Sequence, residues 1–329
     1  MKNTISIFLL LISLSLFAKE RSIKDFGADG KGDAIKDKQA FLAAVKEGPG
    51  TILFPAGVYK LSSVTIPAKV TLRGEGKATV IQGSGKGAIF IQHKTNSWRL
   101  EKLVLQGTSK KANKDLKEQA LVISSSNDFA VIDVEARMFA GKAIEVKFAN
   151  FSHYVDAGSF ARVYANRNYC GMSFGDRAEY MTVSQVNCSL NMIGIEVRGG
   201  NMAITGSHFN NNQTGILLED GPNGSHGSFS NCLINHNHRY AIIAKNVNNA
   251  HIFTGCSVFF GAIYMENAHG VVFNAGNIAA PIEVKGARSR VQFTNNFIHS
   301  RRVKLKVDDK TSLKNNFDGN GAWPIVEKK

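Results

Sequence analysis

The sequence is short of proline, with 6 in 329 residues, and of cysteine, with 4. Against 31 glycines, that proline count excludes a collagen-like repeat, and a composition of 43% hydrophobic and 20% charged residues excludes a disordered chain or a coiled coil. The chain folds around a core. Cys170, Cys188, Cys232 and Cys256 do not cluster as a disulfide framework would. Acidic side chains are also in deficit: 26 Asp and Glu face 40 Lys and Arg, a formal net charge of +14. Such a field concentrates anionic partners at moderate salt, which points to nucleic acid, anionic lipid or acidic glycan.

Long apolar runs are missing except at the start. Ile5 to Phe17, preceded by Lys2, is too short to span a bilayer as a helix and has the make-up of an export signal. Residues 1–18 are read as a signal peptide cleaved after Ala18, so the mature chain is expected in the periplasm or outside the cell. No second run approaches membrane length, and no membrane span is expected. The basic residues are spread along the chain with no RNA-type aromatic motif and no helical reading head, which makes nucleic acid the weakest partner.

What the sequence does contain is a repeat: a small residue, an apolar one, any residue, an apolar one, any residue. Nine copies begin at Ala88, Ala120, Ala143, Gly171, Gly194, Gly215, Ala241, Ala262 and Pro281, spaced 19 to 32 residues apart. Period-2 alternation puts Ile144 and Val146, Ile195 and Val197, Ile263 and Met265 on one face, where they stack between coils. A second short strand follows several copies, as at Ile204-Thr205, Phe229-Ser230 and Phe253-Thr254. At least two strands per coil in a stacked chain predict an all-β parallel β-helix. In this register Cys188, Cys232 and Cys256 take equivalent turn positions, as buried thiols or with Cys232 and Cys256 bridged.

The apolar spacing from Ile35 to Val45 is helical, and this short helix is expected to cap the open first end of the solenoid. The organisation read is a single domain over 19–329: a cap region at 19–60, regular coils over about 88–302, and a C-terminal cap at 303–329 that includes Asn315 to Trp323.

The segment Ile23-Lys-Asp-Phe-Gly-Ala-Asp-Gly-Lys-Gly-Asp33, the helix after it, Gly50-Thr-Ile-Leu-Phe-Pro-Ala-Gly-Val-Tyr59 and Val70-Thr-Leu-Arg-Gly-Glu-Gly76 with Thr79-Val-Ile-Gln82 resemble the opening segment of the pectate-lyase-like superfamily. The resemblance implies a secreted right-handed parallel β-helix, most often a lyase, hydrolase or epimerase of uronic-acid-rich polysaccharide, sometimes a phage-type tailspike. It carries over no catalytic site. The Asn-Thr-Asp, Asp-Asp, Gly-His-Gly and Arg-Ile-Lys set of polygalacturonases is missing, and the one Asp-Asp, Asp308-Asp309, lies beyond the last clear coil. The Asp-Pro-His-Glu of alginate epimerases is absent too, and no motif of the calcium-dependent pectate lyases is present.

The last position of each repeat forms an exposed column: Gln92, Ser124, Lys147, Gly175, Arg198, Glu219, Lys245, Glu266, Lys285. From Arg198 its sign alternates, which reads as a surface charge ladder or as a face for an acidic chain. The long coil 215–240 surrounds it with Asp220, His226, His236, His238, Arg239 and Tyr240, and loops inserted on a rigid scaffold carry sites. His226, His251 and His269 follow similar turns, as a structural stack or a weak metal site. Lys110, Lys111, Lys114 and Lys117 form a basic loop, and His153, Tyr154, Arg162, Tyr164 and Arg167 are candidates to wall a groove.

β-Elimination on a uronate needs a cation to offset enolate charge, a base, and an acid for the leaving oxygen. Arg198 or Arg239 is assigned to the carboxylate, Lys245 or His226 to the base and Tyr240 to the acid, with His238 and Glu219 as further substrate contacts. Glu219 and Glu266 beside Lys245 favour its charged form, which weakens it as a base. The same chemistry on a terminal uronate expels water, so lyase and oligosaccharide dehydratase are equivalent at this level. Hydrolysis is the alternative, through Glu219, Asp220 and Glu266, and a non-catalytic glycan-binding β-helix the second alternative. The sequence by itself requires no cofactor and leaves the matter open, with Ca2+ as the candidate, and a monomer is favoured over a trimer.

Overall fold

The computed structural model describes residues 19–109, 117–148, 155–222, 224–299, 305–307, 310–318 and 326–328. The expected signal peptide, Lys110, Lys111, Lys114, His153, Tyr154, Asp308-Asp309 and residues 319–325 of the expected C-terminal cap lie outside them.

Each coil lays down three strands, one more than the minimum of two read from the repeat. A representative turn runs Met202–Thr205, His208–Asn210, Thr214–Glu219, and each strand pairs in parallel with its counterpart one coil away. The first two strands of successive coils make one continuous sheet and the third makes a separate sheet of eleven strands, so the solenoid is a three-faced prism of about eleven turns. It is a right-handed parallel β-helix with one α-helix near the N-terminus. Stacking starts earlier than the repeat: Glu20–Ser22 pairs with Gly50–Phe54, which pairs with Val70–Gly74.

The alternation in the repeat sets the core. Ile144, Met172, Ile195, Ile216, Ile242 and Ile263 follow one another on the inner side of the third face, all fully buried. Each such side chain contributes roughly 1.5–3 kcal/mol by leaving water. On the first face Phe229, Phe253, Phe273 and Phe293 stack nearly parallel, with ring centroids 4.6, 4.7 and 4.9 Å apart. That spacing is the interstrand distance itself, so identical residues in register meet at contact.

The corners are as regular as the strands. Between the first and second faces a single residue takes the left-handed conformation in coil after coil, among them Arg162, Gln185, Asn231, Ala275 and Asn295, with φ between 51 and 56°. For a non-glycine residue this costs about 1 kcal/mol, which the stacked backbone bonds on either side offset. The corner between the second and third faces is closed by an asparagine ladder. Asn191 Oδ1 accepts from Asn168 N (2.9 Å) and Nδ2 (3.1 Å), Asn212 Oδ1 serves Asn191 in the same way, and Asn237 Oδ1 serves Asn212. Each Nδ2 also donates to a carbonyl of the coil before, so the side-chain amides of Asn168, Asn191 and Asn212 are paired on both sides.

The cysteine register departs from expectation. Cys232 and Cys256 do occupy equivalent first corners, but Cys188 sits mid-strand between Ala165 and Phe209 and points into the core. Pairing of Asn187–Ser189 with both neighbours fixes that phase, which the Asn-Cys turn likeness had obscured. All four thiols are free and buried.

The helix Ala34–Lys46 forms where the spacing places it. Asp33 caps it, its Oδ1 accepting from Ile35 N (3.0 Å) and Lys36 N (3.2 Å), and Ala40, Phe41 and Ala44 bury against the first coil. Arg21 Nε donates to Ala44 O at 2.8 Å, which ties the helix end to the first strand.

Candidate active cleft on the third face

The third face turns two columns of side chains outward near the corner that leads to the next coil. One holds Ile91, Val122, Glu145, Ser173, Glu196, Leu217, Ile243 and Tyr264; the other holds His93, Ser124, Lys147, Gly175, Arg198, Glu219, Lys245, Glu266 and Lys285. His93, and not Gln92, stands in the second column. Gln92 pairs with Ile123 and is fully buried, because the first strand of the sheet, Ala88–His93, is one residue longer than the motif.

Where the first column turns from apolar to polar, at Glu145, Ser173 and Glu196, the face opens into a cleft of about 330 Å³. Its wall includes Lys142, Lys147, Gly175, Asp176, Arg198, Asp220, Gly221 and Pro222. Lys142 lies at its centre. The ammonium is 2.8 Å from Glu196 Oε2, 3.5 Å from Glu145 Oε1, and donates to Ser173 Oγ at 3.0 Å. Ser173 in turn donates to Glu196 Oε2 at 2.9 Å. Each carboxylate has a second cation on its outer side: Lys147 is 3.0 Å from Glu145 Oε2, and Arg198 Nε is 3.1 Å from Glu196 Oε1. Arg198 also pairs with Glu219. A zigzag of alternating charge, Lys147, Glu145, Lys142, Glu196, Arg198, Glu219, thus crosses the cleft floor.

The protonation states follow from this arrangement. Burial alone would lift the Glu145 carboxyl, but hydrogen bonds from Gln119 and Lys147 and the charges of Lys147 and Lys142 bring it below the usual carboxylate range. Burial alone would lower Lys142, yet the Glu196 charge and hydrogen bond, helped by Glu145, leave it above the ordinary lysine value. Beneath the pair, Cys170 is fully buried, and burial with the nearby Glu196 charge pushes its thiol well up.

The turn after Thr214–Glu219 forms one rim. Gly221 comes so close that a Cβ there would lie 3.0 Å from Arg198 O and 3.1 Å from Asp176 Oδ1. Asp220 Oδ1 accepts from Ser225 N at 3.2 Å, and Ser225 Oγ meets Nε2 of the fully buried His251 at 3.0 Å. Burial, with the His226 charge adding to it, lowers the His251 imidazole to about 4.

The structure brings together only part of the residue set expected from sequence. Arg198, Glu219 and Asp220 meet at the cleft. Lys245 continues the charge ladder, 3.9 Å from Glu266, and Lys285 lies 3.9 Å from the other oxygen of that carboxylate. Tyr240 opens the strand that Lys245 closes, so about 16 Å of strand separates the expected acid from the expected base. His226 lies over Gly200 beside Glu179, where a Cβ on Gly200 would meet its ring at 2.3 Å. His226 Nδ1 is 2.8 Å from Gly224 O. Arg239 lies over the Tyr240 ring at 5.1 Å, and His238 faces the opposite edge of the sheet. Glu145, Lys142, Ser173, Glu196 and Asp176 were not singled out by spacing. Their signal was the third repeat position, which is Glu or Ser at 145, 173 and 196 but apolar at 122, 217 and 243.

No group of three or more His, Cys, Asp and Glu side chains able to hold a metal ion occurs among the described residues, and no described helix is long and apolar enough to cross a membrane.

No family model and no curated protein matches the sequence. Solved structures do resemble it. The A-module of the Azotobacter vinelandii mannuronan C-5 epimerase AlgE4 is 17% identical, with a TM-score of 0.60 over 91% of this chain and 95% of that one. The tailspike gp49 of Acinetobacter baumannii bacteriophage Fri1, a capsular polysaccharide depolymerase, is 11% identical, with a TM-score of 0.66 over 94% of this chain and 64% of that one. An exopolygalacturonase from Thermotoga maritima is 11% identical, with a TM-score of 0.53 over 93% of both. These likenesses show the fold: a right-handed parallel β-helix.

Proposed function

We propose that the chain is an exported carbohydrate-active enzyme that takes an acidic glycan into the cleft around Lys142 and cleaves it by β-elimination. The observation that carries this reading is the sharing of Lys142 between Glu145 and Glu196, each braced by an outer cation. Solved neighbours named as a mannuronan epimerase and an exopolygalacturonase support a uronate-bearing substrate.

Arg198, at the exposed end of the zigzag, receives the uronate carboxylate. As it turns from Glu196 to the substrate, that carboxylate becomes available as base for the proton α to the uronate group. Lys142 offsets the developing enolate charge and gives a proton to the leaving oxygen as the carbon–oxygen bond breaks. Its raised pKa keeps it protonated for that step. Hydrolysis requires one neutral carboxylic acid, whereas Glu145 is held ionised and Glu196 is bound by two cations, which supports elimination over hydrolysis.

Ultraviolet absorbance of the mature protein with pectate, alginate, ulvan and glycosaminoglycans, and with their short oligosaccharides, with and without calcium, tests the reading. An unsaturated uronate signal is expected on one substrate, and a product lighter by one water on a short one identifies a dehydratase. Reducing ends without absorbance replace elimination by hydrolysis, with Asp176 and Asp220 as the carboxyl pair; no product of either kind overturns an enzymatic role.

A further inference from the structure

At the opposite edge of the same strands the corner between the second and third faces is indented by a notch of about 350 Å³. Its floor is the asparagine ladder at Asn168 and Asn191, and its shoulders are Leu190 and Met192, apolar side chains left 52% and 45% exposed. The coil carrying His236 to Tyr240 has one residue more at this corner than the coil before it, and the pairing register with the coil after it shifts after Tyr240. This bulge pushes His238 out to close one end, while Arg167 closes the other.

The charge balance of the notch differs from that of the cleft. In the cleft each cation has a carboxylate partner. Arg167 and His238 are the titratable residues lining the notch, no acid lines it, and among the described residues the Arg167 guanidinium has no ion pair. Arg239, next on the bulge, has the Tyr240 ring as its contact. An anionic group is the complement of such a site, and Leu190 and Met192 offer the apolar faces of a sugar ring something to lie on.

We infer that the notch holds a second acidic sugar of the glycan whose reacting unit sits in the cleft. This inference rests on the glycan reading above. Met192, at the notch, and Arg198, at the cleft, are six residues apart along one strand, about 20 Å at roughly 3.3 Å per residue, which spans several rings. Ile193 and Leu217 face outward between them as a part-exposed apolar floor. Two anionic contacts on one ligand add through effective concentration, so long chains gain what short ones cannot.

The test compares kcat/KM on a uronate polymer with kcat/KM on the disaccharide of the same sugar. Arg167→Gln with His238→Gln removes the cations at similar size. Leu190→Asp, at an exposed corner where Asp tolerates the left-handed backbone, adds a repelling charge instead. Both variants are expected to lower the polymer-to-disaccharide ratio about tenfold through KM with kcat retained. Ratios equal to wild type in both overturn the notch and leave the cleft reading standing. If wild type forms no product on any substrate, the cleft reading fails by itself. The notch is then judged by retardation in gels cast with polygalacturonate or alginate: weaker retardation of both variants supports it, and equal retardation, or none for wild type, overturns it.

Discussion

Lys142 and Glu196 stand two coils apart on the third face, on strands about 9.6 Å apart and offset by three residues, yet their charged groups meet at 2.8 Å. The lysine stem spans the intervening coil, and Ser173, which belongs to that coil, completes the triangle by bonding to both. Three consecutive turns of the helix are thereby committed to one polar cluster.

If Glu196 is the base, Glu196→Gln lowers kcat by about 10²- to 10⁴-fold and leaves KM close to wild type. Glu283, in the same outward column but three coils beyond the cleft, is the control, and Glu283→Gln retains activity. Initial rates of absorbance increase on the best substrate decide between them.

Arg198 is expected to grip a carboxylate through two parallel N–H donors. Arg198→Lys keeps the charge but loses the fork, and KM rises about tenfold with a smaller change in kcat. Substrate titrations at two salt concentrations check this, because the wild-type KM also rises with salt.

His251 makes stability depend on pH. The folded protein refuses its proton until about pH 4, whereas the unfolded chain accepts it near 6.5. Stability is therefore full above about pH 6.5 and falls as the pH drops toward 4, by about 3 kcal/mol in all. The groups facing it are Ser225, His226 and Asp220, so the loss falls on the turn that rims the cleft. Melting temperatures across this range are expected to slope downward with acid in wild type and to flatten in His251→Gln.

Truncations in the stack separate its two kinds of glue. Phe253→Ala removes a ring sandwiched by two others and is expected to cost about 3–5 kcal/mol. Asn212→Ala removes the acceptor of the Asn191 backbone N–H and of one of its two side-chain amide N–H groups, and the side-chain donor to the Cys188 carbonyl, at about 3 kcal/mol. Urea unfolding of the two variants measures both.

The architecture was legible because its cause is periodic. Alternation within Ala143 to Lys147 or Gly194 to Arg198 states which side chains point inward, and repetition every coil states what they meet. The third strand of each coil escaped notice because strands such as His208–Asn210 are three residues long and alternate too briefly to register. The cleft was only half legible. Arg198, Glu219 and Asp220 were reached by following one column, but Lys142, Glu145, Ser173 and Glu196 sit in the neighbouring columns, and their meeting depends on the length of a lysine stem across a coil. Grouping Tyr240 with Lys245 failed for the opposite reason: nearness in sequence along an extended strand is distance in space.

The asparagine ladder has a mechanical corollary. Among the described residues every amide in it bonds only to the coils directly before and after, and so does every strand, while the Lys142–Glu196 pair reaches across just two coils. Tension applied at the two ends would therefore strip the prism turn by turn, as a zipper opens, and each event would release one coil's length of chain, about 20 to 30 residues. A single-molecule force trace would be a staircase whose tread lengths report, in order, which coils carry the longer loops.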